Sequence, residues 1–142
     1  MNLPAVQQTS VASNVLGILS QVTSAQGVDK LSAKLAELRS FLGPDLTDVE
    51  ETLAALLTDR TPAHRSANHL IGRGGKRLRP LCVALAARIG DGFSESARQL
   101  AVAVELVHSA TLLHDDVIDL GERRRGAATA RCIYGNAASI YA

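Results

Sequence analysis

One stretch constrains this chain more than any other. A nearly all-apolar run from Leu100 to Leu113 ends in His114-Asp115-Asp116-Val117-Ile118-Asp119. Ser94, just ahead of the run, is a good helix N-cap, and Glu95 suits the first turn. The pattern predicts a single helix from about Glu95 to Leu120, ending before Gly121. A helix that is apolar almost all round is a buried central helix, and it needs neighbours around it.

The acidic end of that helix carries the chemistry. Asp115 and Asp119 are four residues apart, so their carboxylates share a face one turn apart. Asp116 is rotated by about 100° from Asp115. Like charges at this spacing oppose helix formation unless something neutralises them. Oxygen-only ligands suit Mg²⁺, which commonly takes one or two carboxylates and completes its shell with phosphates and water. Zinc more often recruits His or Cys. The bland alternative is a solvated acidic helix end. Upstream, Val104, His108 and Thr111 continue the stripe of Asp115 and Asp119. A lone His on an apolar helix is usually a satisfied core residue, but His108 lies two turns from the carboxylates, where it could touch a bound diphosphate.

Charge distribution supplies the complement. Net charge is only +1, yet eight of the fifteen basic residues fall in two clusters: Arg73, Lys76, Arg77, Arg79, and Arg123, Arg124, Arg125, Arg131. Concentrated clusters on a near-neutral chain indicate a local anion site, not a broad nucleic-acid surface. Aromatic residues at 3% and no Trp leave little for base stacking. Gly74-Gly75-Lys76-Arg77-Leu78-Arg79-Pro80 joins a flexible loop to three cations at a helix start. It lacks the Walker A pattern. Alone, it would read as a basic surface loop.

The rest of the chain is helical in period and lacks hairpin signals or repeats. Leu31, Leu35, Leu38 and Leu42 predict a helix stopped by Gly43-Pro44. Thr47-Asp48-Val49-Glu50 matches a capping box and predicts a second helix over residues 48–59. Pro62 opens a third, to about Leu70. Pro80 starts a fourth, through Ile89. Residues 1–28 carry no charged side chain and read as a poorly ordered or weakly helical extension, with the main domain over 29–142. They lack the positive segment of a secretory signal. No apolar run reaches the length of a membrane span. Cys82 and Cys132 show no zinc spacing and suit a reduced, cytoplasmic protein.

Three segments together carry a specific resemblance: GGKRLRP at 74–80, ELVHSATLLHDDVID at 105–119, and RRG at 124–126 followed by Thr129 and Tyr134-Gly135-Asn136. In words, order and spacing they resemble trans-isoprenyl (polyprenyl) diphosphate synthases over roughly residues 30–142, nearest the octaprenyl/decaprenyl-type bacterial enzymes. The resemblance implies an all-α isoprenoid synthase-type bundle with a central cavity. It implies addition of isopentenyl diphosphate to an allylic diphosphate, giving a long-chain, membrane-directed product. Carried over by position, Lys76, Arg79, His108 and Arg125 contact isopentenyl diphosphate. Arg124 contacts the allylic diphosphate. Asp115, Asp116 and Asp119 form a Mg²⁺ motif. Ala110 and Thr111 stand where bulky residues would shorten the product, so a long chain is favoured.

The implied chemistry is coherent. Ionisation of the allylic carbon–oxygen bond leaves a carbocation and diphosphate, and arginines and a divalent ion stabilise the departing charge. An apolar cavity excludes water. Members usually run to about twice this length, with a second aspartate-rich motif beyond the end of this chain. Arg131 and Ala127-Ala128 also depart from the pattern. The expectation is therefore the N-terminal half of a synthase, weak alone and completed by dimerisation or a companion chain. A non-catalytic or split subunit is the alternative. A terpene cyclase would share the aspartates but has no use for the GGKRLRP loop.

Overall fold

The computed structural model describes residues 13–57 and 61–142. Helices dominate: α1 (Ser13–Ala25), α2 (Asp29–Leu56), α3 (Pro62–Ile71), α4 (Leu78–Ile89), α5 (Glu95–Ile118), then short α6 (Ala130–Tyr134) and α7 (Asn136–Ile140). A two-residue ribbon, β1 (Arg123–Arg124) with β2 (Ala127–Ala128), interrupts them after α5. Residues 1–12 of the expected extension, and the last residues expected of the helix over 48–59, lie outside the described residues.

Local signals explain α3 to α5. The Thr61 hydroxyl accepts from the His64 amide at 3.3 Å, and Pro62 fills the first helical position. The Ser94 hydroxyl accepts from the Ala97 amide at 3.3 Å, as expected of an N-cap. At its far end α5 stops at Ile118, two residues early. The Gly121 amide bonds back to the Asp116 carbonyl at 2.9 Å and Leu120 to Val117, so Leu120 takes the left-handed position (φ 54°) usually given to glycine.

The predicted break at Gly43-Pro44 does not occur. A single helix, α2, runs from Asp29 through Pro44 to Leu56. An interior proline costs about 3 kcal/mol. Burial of Leu42, Leu46, Val49 and Leu53 along one face offsets it, at about 1.5–3 kcal/mol per side chain. The capping box fails with the break. Inside a continuous helix the Thr47 hydroxyl donates to the Gly43 carbonyl at 3.0 Å, and Glu50 is free to bond elsewhere. Part of the charge-free N-terminal segment forms α1, which folds back on α2 through a turn at Gly27 (φ 73°). The Ser20 and Ser32 hydroxyls meet at 3.0 Å across the pair.

Three small apolar clusters make the core. Leu16, Leu42, Leu46, Leu81 and Ala84 join α1, α2 and α4. Val49, Leu53, Ala101 and Val102 join α2 to α5. Leu70, Leu113 and Ala130 join α3, α5 and α6. The expected all-round burial of α5 is not met within the described residues. Ala101, Val102 and Leu113 are buried, but Leu100 is 55% and Val107 65% exposed. No described helix is long and apolar enough to cross a membrane.

Candidate diphosphate site

The acidic end of α5 divides into two roles. Asp115 and Asp119 are both exposed, on the shared face that helix geometry requires, and no described cation forms an ion pair with either. Asp116 is buried instead. Its carboxylate accepts from Arg124 Nε at 2.9 and 3.0 Å and pairs with Nη2 at 2.9 Å. That contact, with Asp115 and Asp119 acting at longer range, holds the Arg124 guanidinium more firmly protonated than usual. Among the described residues no group of three or more His, Cys, Asp or Glu side chains is arranged as a metal cage. Asp115 and Asp119 are the exposed carboxylates here that could hold a hard cation such as Mg²⁺, with phosphate or water oxygens completing its shell.

Arg124 and Arg125 sit on a tight ribbon. Arg125 and Gly126 both have positive φ (51° and 79°), as a two-residue hairpin turn demands. No strand was expected here. The ribbon is tied down from below: the Thr129 hydroxyl donates to the Gly121 carbonyl at 2.7 Å, and Arg131 Nε to the same oxygen at 3.2 Å. Arg131, unexpected in the pattern, thus holds the turn rather than joining the anion site. The Arg125 guanidinium reaches across and donates to the Gly74 carbonyl, joining the two basic segments. A Cβ at Gly75 would stand 3.3 Å from Arg125 Nη2 and 3.5 Å from Arg77 Nη1, so the small residue lets both guanidiniums approach.

His108 reports the convergence electrically. Partial burial lowers its pKa below the ordinary value, and the nearby charges of Arg79, Arg125 and Arg124 lower it further, against Glu105, which raises it. Arg124 thus feels Asp115 and Asp119 on one side while His108 feels Arg124, Arg125 and Arg79 on the other. Lys76 and Arg79 are exposed, at the loop end and in the first turn of α4. Thr111, on the His108–Asp115 face, is exposed and donates to the His108 carbonyl at 2.7 Å. Ala110 lies elsewhere. It lines an apolar cleft of about 470 Å³ with Leu56, Ala67, Leu106 and Leu113. The two positions expected to govern product length therefore face different surroundings.

Sequence reading counted Arg77 as one cation among three. It is 5% exposed, with its Nε bonded to Glu50 at 2.7 Å, Nη1 to Glu105 at 2.8 Å and Nη2 to the Ile71 carbonyl at 3.0 Å. Burial disfavours its charge, but the two carboxylates more than compensate and the guanidinium stays protonated. Sequence reading gave Glu50 a capping role and Glu105 only a place at the start of ELVH, and connected neither to Arg77.

The sequence pattern of the polyprenyl synthetase family matches residues 61–142. The chain is 45% identical over 109 residues to heptaprenyl diphosphate synthase component 2 of Geobacillus stearothermophilus, covering 76% of this chain and 34% of that protein. It is 38% identical over 108 residues to the octaprenyl diphosphate synthase of Escherichia coli K12, covering 75% and 33%. Among solved structures, a decaprenyl diphosphate synthase from Rhodobacter capsulatus superposes with a TM-score of 0.67 at 36% identity, over 74% of this chain and 33% of that one. A polyprenyl synthase from Caulobacter crescentus, solved with calcium and isoprenyl diphosphate, gives 0.66 at 39%, over 72% and 32%. These neighbours place the helices in the all-α isoprenoid synthase fold. The chain belongs to the polyprenyl synthetase family. It spans about a third of the length of these relatives.

Proposed function

We propose that this chain forms the metal- and diphosphate-binding part of a trans-polyprenyl diphosphate synthase, acting on isopentenyl diphosphate and an allylic diphosphate. The observation that carries the reading is the junction at Arg124. Its guanidinium pairs with Asp116 at 2.9 Å, and the next residue, Arg125, donates to the Gly74 carbonyl, so the ribbon ties the acidic end of α5 to the cation loop. That joining of the acidic and basic segments supports a shared site for the carboxylates and the cations. Relatives named as long-chain prenyl synthases support the substrate class.

In this reading Asp115 and Asp119 would hold Mg²⁺, which would supply charge neutralisation to the departing diphosphate. Asp116 does not compete for it directly. Its role is to orient Arg124, whose Nε and Nη2 are engaged and whose Nη1 edge is left for an allylic phosphate oxygen. Lys76, Arg79 and Arg125 take the isopentenyl diphosphate. Neutral His108 donates to the same group without adding a further positive charge beside the arginines. Thr111 and Ala110 leave room for a long product. Free thiols at Cys82 and Cys132 suit a reducing, cytoplasmic setting.

Further polypeptide completes the catalyst, whether a later part of the same chain, a companion chain or a second copy. The observation favouring this is the exposed apolar face of α5 at Leu100 and Val107. One relative is itself named a component of a synthase. Incorporation of labelled isopentenyl diphosphate, measured with and without a companion synthase chain, tests the whole reading. Turnover should appear only in the mixture and vanish in Asp115→Asn. Strong turnover by the 142-residue chain alone overturns the incomplete-site reading.

A further inference from the structure

Arg77 stands between two exposed cations, one residue after Lys76 and two before Arg79, yet its own side chain points into the protein. Its backbone is left-handed (φ 46°), a conformation a long side chain adopts only when its surroundings enforce it. The surroundings come from three elements. Glu50 of α2 grips Nε at 2.7 Å and Nη2 at 3.3 Å, Glu105 of α5 grips Nη1 at 2.8 Å, and the last carbonyl of α3, at Ile71, accepts from Nη2 at 3.0 Å. The Arg77 carbonyl accepts from Leu81 at 3.0 Å, the first turn of α4. Upstream, the Gly74 amide donates to Ile71 at 3.0 Å, and the Gly74 carbonyl accepts from Arg125. The loop is therefore pinned at both ends, and the deeper pin is Arg77.

Stability alone does not call for such an arrangement, because apolar residues of similar size usually serve a buried position as well as a buried ion cluster does. What the cluster uniquely fixes is direction: a planar fork held on every edge sets the orientation of the backbone on either side of it. Glu105 also lies one turn before His108 on α5.

We infer that Arg77, clamped by Glu50 and Glu105, is the positioning residue of the cation loop, fixing the outward presentation of Lys76 and Arg79 toward a bound diphosphate. The inference rests on the diphosphate-binding reading above.

The test uses the full chain and inorganic pyrophosphate with Mg²⁺ as probe. The variant Glu50→Gln/Arg77→Met/Glu105→Gln removes the cluster without leaving a charge unpaired. It should unfold near the wild-type temperature, while amides 73–76 exchange at least about tenfold faster than wild type and those of α2 and α5 do not change. Its Kd for pyrophosphate should rise at least about tenfold. Arg77→Lys, which keeps the charge but loses the fork, should not restore either value. Unchanged loop exchange, or unchanged affinity beside faster exchange, overturns the inference. If the triple variant does not fold, Glu50→Gln alone, which alters the more exposed partner, decides it by the same two readouts. A wild-type chain that fails to bind pyrophosphate sinks the diphosphate reading instead, and loop exchange still decides whether Arg77 positions the segment.

Discussion

The acidic end of α5 and the basic loop before α4 face the same job with opposite charge, and they are built in opposite ways. Asp115 and Asp119 are placed by helix geometry alone, within five consecutive residues. The loop from Gly72 to Arg77 has no such internal frame. Its geometry is imposed by Glu50 and Glu105, 27 and 28 residues away in sequence, through a side chain that itself never reaches the surface. One half of the site is local and the other is tertiary. The acidic half should therefore tolerate disturbance elsewhere, while the basic half depends on α2 and α5 staying packed.

The sharpest way to break that contrast is to cut each half in turn and measure urea unfolding. Arg77→Ala leaves buried Glu105 and half-buried Glu50 without their cation and should cost about 3 kcal/mol. Asp115→Ala should cost nothing, and relief of repulsion with Asp119 should add a few tenths of a kcal/mol, roughly the size of one helix pair. Equal losses would mean that the two halves are not built differently.

Binding should show the reverse order. Asp119→Asn should weaken Mg²⁺-dependent pyrophosphate binding by about 1.4–3 kcal/mol, or roughly ten- to a hundredfold, by calorimetry. Removing the metal with a chelator should bring wild type and variant to the same weak affinity. A variant that keeps its metal dependence would free Asp119 from the site.

A serine that caps and a threonine that does not separate local from tertiary control more finely. Ser94→Ala should destabilise by about 1 kcal/mol, because its hydroxyl accepts from the Ala97 amide at a true helix start. Thr47→Ala should change stability by no more than about 0.5 kcal/mol, since Thr47 lies inside α2 and caps nothing.

The smallest effect is electrostatic. By NMR, His108 should titrate below the ordinary histidine value, and Arg79→Gln should raise its pKa. Because the folded pKa lies below the unfolded one, the unfolded chain binds the proton first as pH falls. The contribution of His108 to stability is thus complete above the unfolded value and disappears as pH drops through the folded one. Arg79→Gln should narrow that window.

Much of the fold was written locally. Pro62 and Ser94 marked the starts of α3 and α5, because first-turn and cap signals act over three or four residues. The proline signal at Pro44 misled for a tertiary reason: Leu42 and Leu46 flank it in one buried cluster, and Asp45 is held by Arg88 at 2.6 and 2.8 Å. Leu120 misled in the other direction, since its left-handed backbone ends α5 where a leucine would normally continue it. Of the site, the carboxylate pair and the exposed cations were legible from spacing and motif. The burial of Asp116 under Arg124, and of Arg77 between Glu50 and Glu105, was not, because both depend on pairings the helix packing creates.

That the two halves serve one ligand is tested most directly by a double-mutant cycle. Mg²⁺-pyrophosphate binding is measured for wild type, Asp115→Asn, Arg79→Gln and the double variant. A shared site predicts losses that fail to add, with a coupling of about 1 kcal/mol or more. Losses that sum to within about 0.5 kcal/mol would mean that the carboxylates and the loop cations act on separate ligands.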